Sequence, residues 1–176
     1  MPDATGLELI AHDLREGIPG SVRDTGHYRD IATLVVDPEQ VLEVLAWLRD
    51  TPNQSYRFLA SLHGCDYLPD APRFGIHYEL LNMDRVERVH VKALLADPGE
   101  PELPEIDSCV ELFPTAEFQE REIYDMFGVR FRGHPDLRRI LMPEEYEGFP
   151  QRRDFPMGGE PVLFTHNEHQ TPRWYE

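Results

Sequence analysis

The chain has 176 residues, 17 Lys and Arg against 33 Asp and Glu, and a formal net charge of -16. That length fits one domain with an appended arm, and a 40% apolar content excludes disorder along the whole chain. The acid excess argues against nucleic acid or anionic lipid as the main partner, because phosphate surfaces are met by Lys and Arg.

The start, Met1-Pro2-Asp3-Ala4, has no basic flank leading into an apolar stretch, so no leader peptide is expected. Leu7 to Leu14 reads as a short helix closed by the breaker Gly17-Ile18-Pro19-Gly20. The longest tidy apolar run, Ile31 to Val36, is strand-sized and far short of the roughly 18–20 residues a membrane-spanning helix needs. Asp37-Pro38-Glu39-Gln40 then offers an N-cap, a first-turn proline and a Gln in capping-box position. Val41, Val44, Leu45 and Leu48 follow at helical spacing, so a helix is expected over 38–50, stopped by Thr51-Pro52. Tyr56 to Leu62 reads as a second strand.

Residues 73–95 carry the clearest hairpin signal. Phe74, Ile76, Tyr78 and Leu80 alternate going out, Val89, Val91, Ala93 and Leu95 alternate coming back, and Asn82 to Arg85 supply the turn. Together these elements predict an α+β two-layer sandwich. Its mostly antiparallel or mixed sheet of about four strands carries helices on one face, and an extended C-terminal arm follows. That fold serves many unrelated functions and fixes no activity.

Proline and charge divide the chain. Six prolines fall in residues 1–96 and ten in the rest, so the second half cannot be long helices or central strands. The expected organisation is a compact acidic domain (1–113), a signature helix and partner-binding arm (114–157) and a polar tail (158–176). Cys65 and Cys109 stand alone, without the spacing that holds a metal or an iron–sulfur cluster. Lys92 is the single lysine beside 16 arginines. A GC-rich coding sequence explains that bias, and so does a need for planar guanidinium groups at carboxylates.

In the arm, Thr115 is placed to cap a helix running to Phe127, with Gly128 as its stop. Glu117, Arg121 and Asp125 at i, i+4 and i+8 set an arginine between two carboxylates. As exposed pairs these contribute only about 0.3–0.5 kcal/mol each, so a solvated charged face accounts for them equally. Beyond Gly128, arginines interleave with large apolar residues without a helical or strand period. Such a segment suits lying along another protein, apolar groups in pockets and arginines on carboxylates or carbonyls.

The run Glu120-Arg121-Glu122-Ile123-Tyr124-Asp125-Met126-Phe127-Gly128 continues through Phe131 into Gly133-His134-Pro135-Asp136-Leu137-Arg138-Arg139-Ile140-Leu141. It strongly resembles the signature of the C subunit of respiratory NADH:quinone oxidoreductase (complex I) in its unfused form. Gly148 and Arg152-Arg153-Asp154-Phe155-Pro156 look like its continuation, and the resemblance covers residues 30–157. Two departures stand out. Gly148-Phe149-Pro150-Gln151-Arg152-Arg153-Asp154 replaces the family's usual Gly-His-Pro-Leu-Arg-Lys-Asp, and Glu117-Phe118 stands where Asn-Trp is usual.

The resemblance implies a subunit without cofactor or catalytic residue, on the cytoplasmic face of the cell membrane. It would brace the quinone-site subunit (D) and the terminal-cluster subunit (B), with FMN and iron–sulfur clusters held by partners. The signature residues named above would then form its partner interface. A related membrane-bound hydrogenase or reduced-coenzyme F420 dehydrogenase uses an equivalent subunit. A reading of another class is a stand-alone enzyme or ligand-binding protein using His134 with Glu122 and Asp125. It lacks a nucleophile motif, and His134 and Asp136 diverge about Pro135. His166 and His169 with Glu168 offer metal-ligand types but sit in a polar tail, where solvation is the simpler role. Cys65 suits a small core position better than a reactive thiol.

Overall fold

The computed structural model describes residues 2–156. The expected tail over 158–176, with His166 and His169, lies outside the described residues. Helix α1 (Ala4–Gly17) is longer at both ends than the Leu7–Leu14 expectation, because the Asp3 carboxylate caps it by accepting from the Gly6 amide at 2.7 Å. Strand β1 (Val22–Tyr28) escaped the sequence reading. It is a sheet edge with only Val22 buried, so it lacks the alternation that marks a half-buried strand. It joins β2 (Ile31–Val36) through Arg29 and Asp30, both at positive φ (48° and 62°), the conformation a two-residue hairpin turn demands.

The expected helix over 38–50 begins as a single 3₁₀ turn at Pro38–Gln40 and continues as α2 (Val41–Asp50). Asp37 does cap it, accepting from the Glu39 amide at 3.0 Å. Gln40 closes no capping box; its side-chain amide donates instead to the Pro19 carbonyl. Strand β3 (Phe58–Asp66) runs four residues beyond the expected Leu62. The hairpin of β4 (Phe74–Asn82) and β5 (Glu87–Leu95) lies where the alternation placed it.

The five strands form one sheet in the order β1-β2-β5-β4-β3, antiparallel except for the central parallel pair β2 and β5. Its inner face presents Leu34, Val36, Ile76, Tyr78, Leu80 and Val91, all fully buried. Against it lie α1 through Leu7, Ile10 and Leu14, α2 through Val44, Leu45 and Leu48, and α3 (Ala116–Phe127) through Ile123, Met126 and Phe127. A short parallel pair, β6 (Glu105–Asp107) and β7 (Arg130–Arg132), extends this core with Ile106 and Phe131. The division expected at residue 113 therefore does not separate a domain from an arm. Residues 116–131 share the sheet's hydrophobic core.

Helix α3 reaches the sheet because Gly64 carries no side chain. A Cβ there would lie 2.9 Å from the Phe127 ring. Gly64→Ala is expected to destabilise the chain by about 1–3 kcal/mol through overpacking. Gly26→Ala, where the nearest atom would be 4.0 Å away, should stay within about 0.5 kcal/mol. Urea unfolding of the two variants checks the contrast.

Candidate functional site

The residues of the signature meet around the C-terminal end of α3. Gly128, at φ 71°, ends the helix in the left-handed conformation, and its amide closes onto the Tyr124 carbonyl. Thr115, expected as the N-cap, makes no side-chain cap bond because its own backbone is already helical.

One turn before that end, Asp125 is fully buried. Its Oδ2 accepts the backbone amides of Ile140, Leu141 and Met142 at 3.0, 2.7 and 2.8 Å, and its Oδ1 accepts Arg139 Nη1 at 2.7 Å. Burial alone would raise the carboxyl pKa. The donors, Met142 and Arg139 first among them, outweigh burial and hold it below the ordinary carboxylate value. The pairing of Asp125 with Arg121 suggested by the i, i+4 spacing is thus corrected. A carboxylate that can gather four donors out of water gains more than one sharing an exposed neighbour. Arg121 instead donates to the carbonyls of Arg138 and Arg139.

Arg139 uses both of its Nη groups. Besides Asp125 it donates to the carbonyls of Tyr146 and Gly148, both at 2.9 Å. Gly148, at φ 88°, can turn there because it has no Cβ. Arg152 donates to the Phe127 carbonyl at 2.7 Å, with its guanidinium over the rings of Phe149 and Phe74. Arg153 gives its amide to Asp66 and its guanidinium to the Leu68 carbonyl. Asp154 joins Asp66 and Asp97 around Arg73. Pro156 is exposed at the last described position. The expected partner-seeking arm is therefore folded back on its own domain, its arginines meeting this chain's carboxylates and carbonyls. That corrects the expectation that Arg139 acts mainly across an interface.

Glu120 is buried too, where the sequence suggested a charged helix face. It accepts from Ser108 Oγ at 2.6 Å and from the Cys109 amide at 2.8 Å, so it pins the 108–109 turn to α3. Burial raises its carboxyl pKa, and burial beside Glu120 raises the Cys109 thiol. Cys109 lies in the core and Cys65 on the sheet's other face, so the two thiols do not meet. Among the described residues no group of three His, Cys, Asp or Glu side chains is placed to hold a metal ion. His134 Nδ1 accepts the Asp136 amide at 3.0 Å, which leaves Nε2 to donate to the Glu117 carbonyl at 3.0 Å. Both nitrogens are occupied in holding a turn, so His134 has no free lone pair for a base and does not join Glu122 or Asp125 in an acid–base group. Gly133 makes that turn at φ 81°.

A few signature residues stay outside this network. Leu141 is 59% exposed and Ile140 37%, Pro135 is exposed, and Arg138 pairs only with the equally open Asp136. Phe118, 58% exposed on α3, lies under Arg121. Leu137 packs partly against the core, and Glu122 faces solvent.

The family model for the 30 kDa subunit of respiratory-chain NADH dehydrogenase matches residues 34–161. The chain belongs to that family. Among its curated members, the NADH-quinone oxidoreductase C subunit of Roseiflexus castenholzii is 41% identical over 155 residues, 88% of this chain and 87% of that one. The same subunit of Herpetosiphon aurantiacus is 49% identical over 137 residues, 77% of each chain. A chain in the structure of the membrane-bound sulfane sulfur reductase, an archaeal respiratory membrane complex, shares the fold of this family member with a TM-score of 0.66. It is 21% identical and covers 85% of both chains. The matched span includes the Asp125–Arg139 network and the turn it holds.

Asp125→Ala would strand a buried guanidinium and three amides, and is expected to cost about 3–5 kcal/mol, read by chemical unfolding. Asp66 lies deeper in its cluster. Burial raises its carboxyl, and the Arg73, Leu68 and Arg153 donors bring it down to about 2. A carboxyl depressed in the folded state contributes stability above its ordinary pKa and loses it as pH falls through the folded value. The melting temperature should therefore drop between about pH 4 and pH 2, and Asp66→Asn should flatten that drop.

Proposed function

We propose that this chain is a non-catalytic brace in the peripheral part of an NADH-quinone oxidoreductase, a proton-translocating complex. The complex passes electrons from NADH through FMN and iron–sulfur clusters to a quinone. The chain binds none of these groups, has no turnover alone, and sits on the cytoplasmic face of the membrane against the quinone-site (D) and terminal-cluster (B) subunits. Family membership supports the complex. The absence of a membrane-length apolar helix among the described residues is consistent with attachment through protein.

The observation that carries the brace role is the exposed rim on the Asp125 network. Arg138, Ile140 and Leu141 are held outward by a backbone whose amides are tied to a buried carboxylate. Apolar side chains kept exposed on a rigid turn lose little entropy on docking, which suits them as anchors in a neighbour's pocket. Asp125, Arg139 and His134 spend their hydrogen bonds within this chain, although Arg152 keeps a buried Nη2 without a partner.

Two outcomes test this. Arg138→Ala with Leu141→Asp should leave the melting temperature of the isolated chain within about 2 °C, while co-purification of the chain with the membrane complex and NADH:quinone activity both fall at least tenfold. Normal assembly of the variant would contradict the rim as interface. Purified alone, the chain should show no flavin absorbance and no stoichiometric iron; either one would contradict the cofactor-free reading.

A further inference from the structure

All three helices lie on one face of the sheet. On the other face Tyr67 reaches over the sheet from the β3–β4 connection and meets His77. Strand register arranges its side chains in rows. Tyr28 pairs with Ile31 across β1 and β2, and Arg88 pairs with Leu81 and Leu81 with Phe58 across β5, β4 and β3. Tyr28, Ile31 and Phe58 are 69, 43 and 47% exposed.

The next rows bring three histidines together from three strands. His77 stacks between His63 and His90, with ring centroids 4.9 Å apart on either side. Hydrogen bonds link Tyr67 Oη to His77, His77 to His90 and His90 to Thr33 Oγ1, at 2.8, 2.7 and 3.1 Å. Burial, reinforced by the neighbouring His and Lys92 charges, pushes His77 down to about 3 and His90 down to about 4, so both rings are neutral at pH 7. His77 is buried, so the stack meets solvent mainly through the exposed His63 ring at its edge, on the face that also carries Tyr28, Ile31 and Phe58.

The same face carries Arg88 and Lys92. Acids outnumber bases 33 to 17 in this chain, and Arg23, Arg85, Arg130 and Arg132 each meet a carboxylate. Arg88 and Lys92 form no ion pair among the described residues, nor do Arg15, Arg29 and Arg57; Lys92 Nζ rests 4.3 Å over the Tyr67 ring, and the half-buried Glu79 shares this face, 4.0 Å from His90 Nε2.

We propose that this open sheet face is a second docking surface, and that its occupant is an acidic segment with apolar anchors from another subunit of the membrane complex. Carboxylates of that segment complete Arg88 and Lys92, and its apolar side chains cover the exposed His63 ring with Tyr28, Ile31 and Phe58. A second copy of this chain fits badly, because a two-fold interface would set the cations of one copy against those of the other. An anionic bilayer fits badly too, since two cations on a chain of charge -16 are too few to hold it there.

The proposal rests on the subunit reading above, and the chain's single lysine gives it a direct test. The intact complex is treated with a carbodiimide, which joins an amine to a contacting carboxylate. Lys92 should link to an Asp or Glu of another subunit, and Lys92→Arg should abolish the link. Acetylation of Lys92 should be at least tenfold slower in the complex than in the isolated chain. Arg88→Glu with Lys92→Glu should lower recovery of the chain with the complex at least tenfold, with its isolated fold intact by circular dichroism. A Lys92 acetylated equally fast in both states overturns the proposal. So does a link confined to this chain's own carboxylates or to a second copy, or cation-dependent binding of the isolated chain to phosphatidylglycerol vesicles. A wild-type chain that never co-purifies with the complex defeats the subunit reading itself, a failure visible before any cross-link is sought.

Discussion

A buried carboxylate needs more donors than one neighbour can supply, and Asp125 has them because the chain returns to it. Three successive amides and a guanidinium converge on its two oxygens from residues 139–142. Each donor alone would be a modest gain over water; leaving any of them unpaired inside the fold costs more than making it contributes. The rest of the C-terminal region depends on that closure. Arg139, fixed by Asp125, holds the Tyr146 and Gly148 carbonyls, and Arg152 then seats between Phe74 and Phe149. From there Arg153 and Asp154 reach the Asp66–Arg73 cluster at the sheet's end.

The residue types in this region are those an active site would use, yet their hydrogen-bonding capacity is spent on architecture. His134 closes a turn through one nitrogen and a helix carbonyl through the other. Glu120 ties a loop to a helix. Such economy fits the proposed role of a subunit whose task is shape: the amides of Ile140 and Leu141, tied to Asp125, keep their side chains at a fixed place on the surface.

What the sequence revealed depended on how local each interaction is. The β4–β5 hairpin was legible because alternation and turn residues lie within 22 residues of one another. Helix α3 was legible down to its Gly128 stop. Strand β1 was not, since an edge strand with one buried residue leaves no pattern. The extension of β3 past Leu62 was hidden by Gly64, which reads as a break and acts as a seat for Phe127. The signature was recognisable as a string, while its geometry was misjudged. Spacing on the helix offered Asp125 a partner four residues away, and the real ones stand 14 to 17 residues on. The histidine stack left no trace at all, because only strand register brings residues 63, 77 and 90 side by side.

Backbone amide exchange in the isolated full-length chain tests most directly whether the Asp125 network is intrinsic to this fold. Hydrogen–deuterium exchange at pH 7 should find the Ile140, Leu141 and Met142 amides protected at least a hundredfold without any partner, with that protection lost in Asp125→Ala. Rapid exchange of those amides in the isolated wild-type chain, slowed only within the complex, would show that partners impose the turn and would contradict the account.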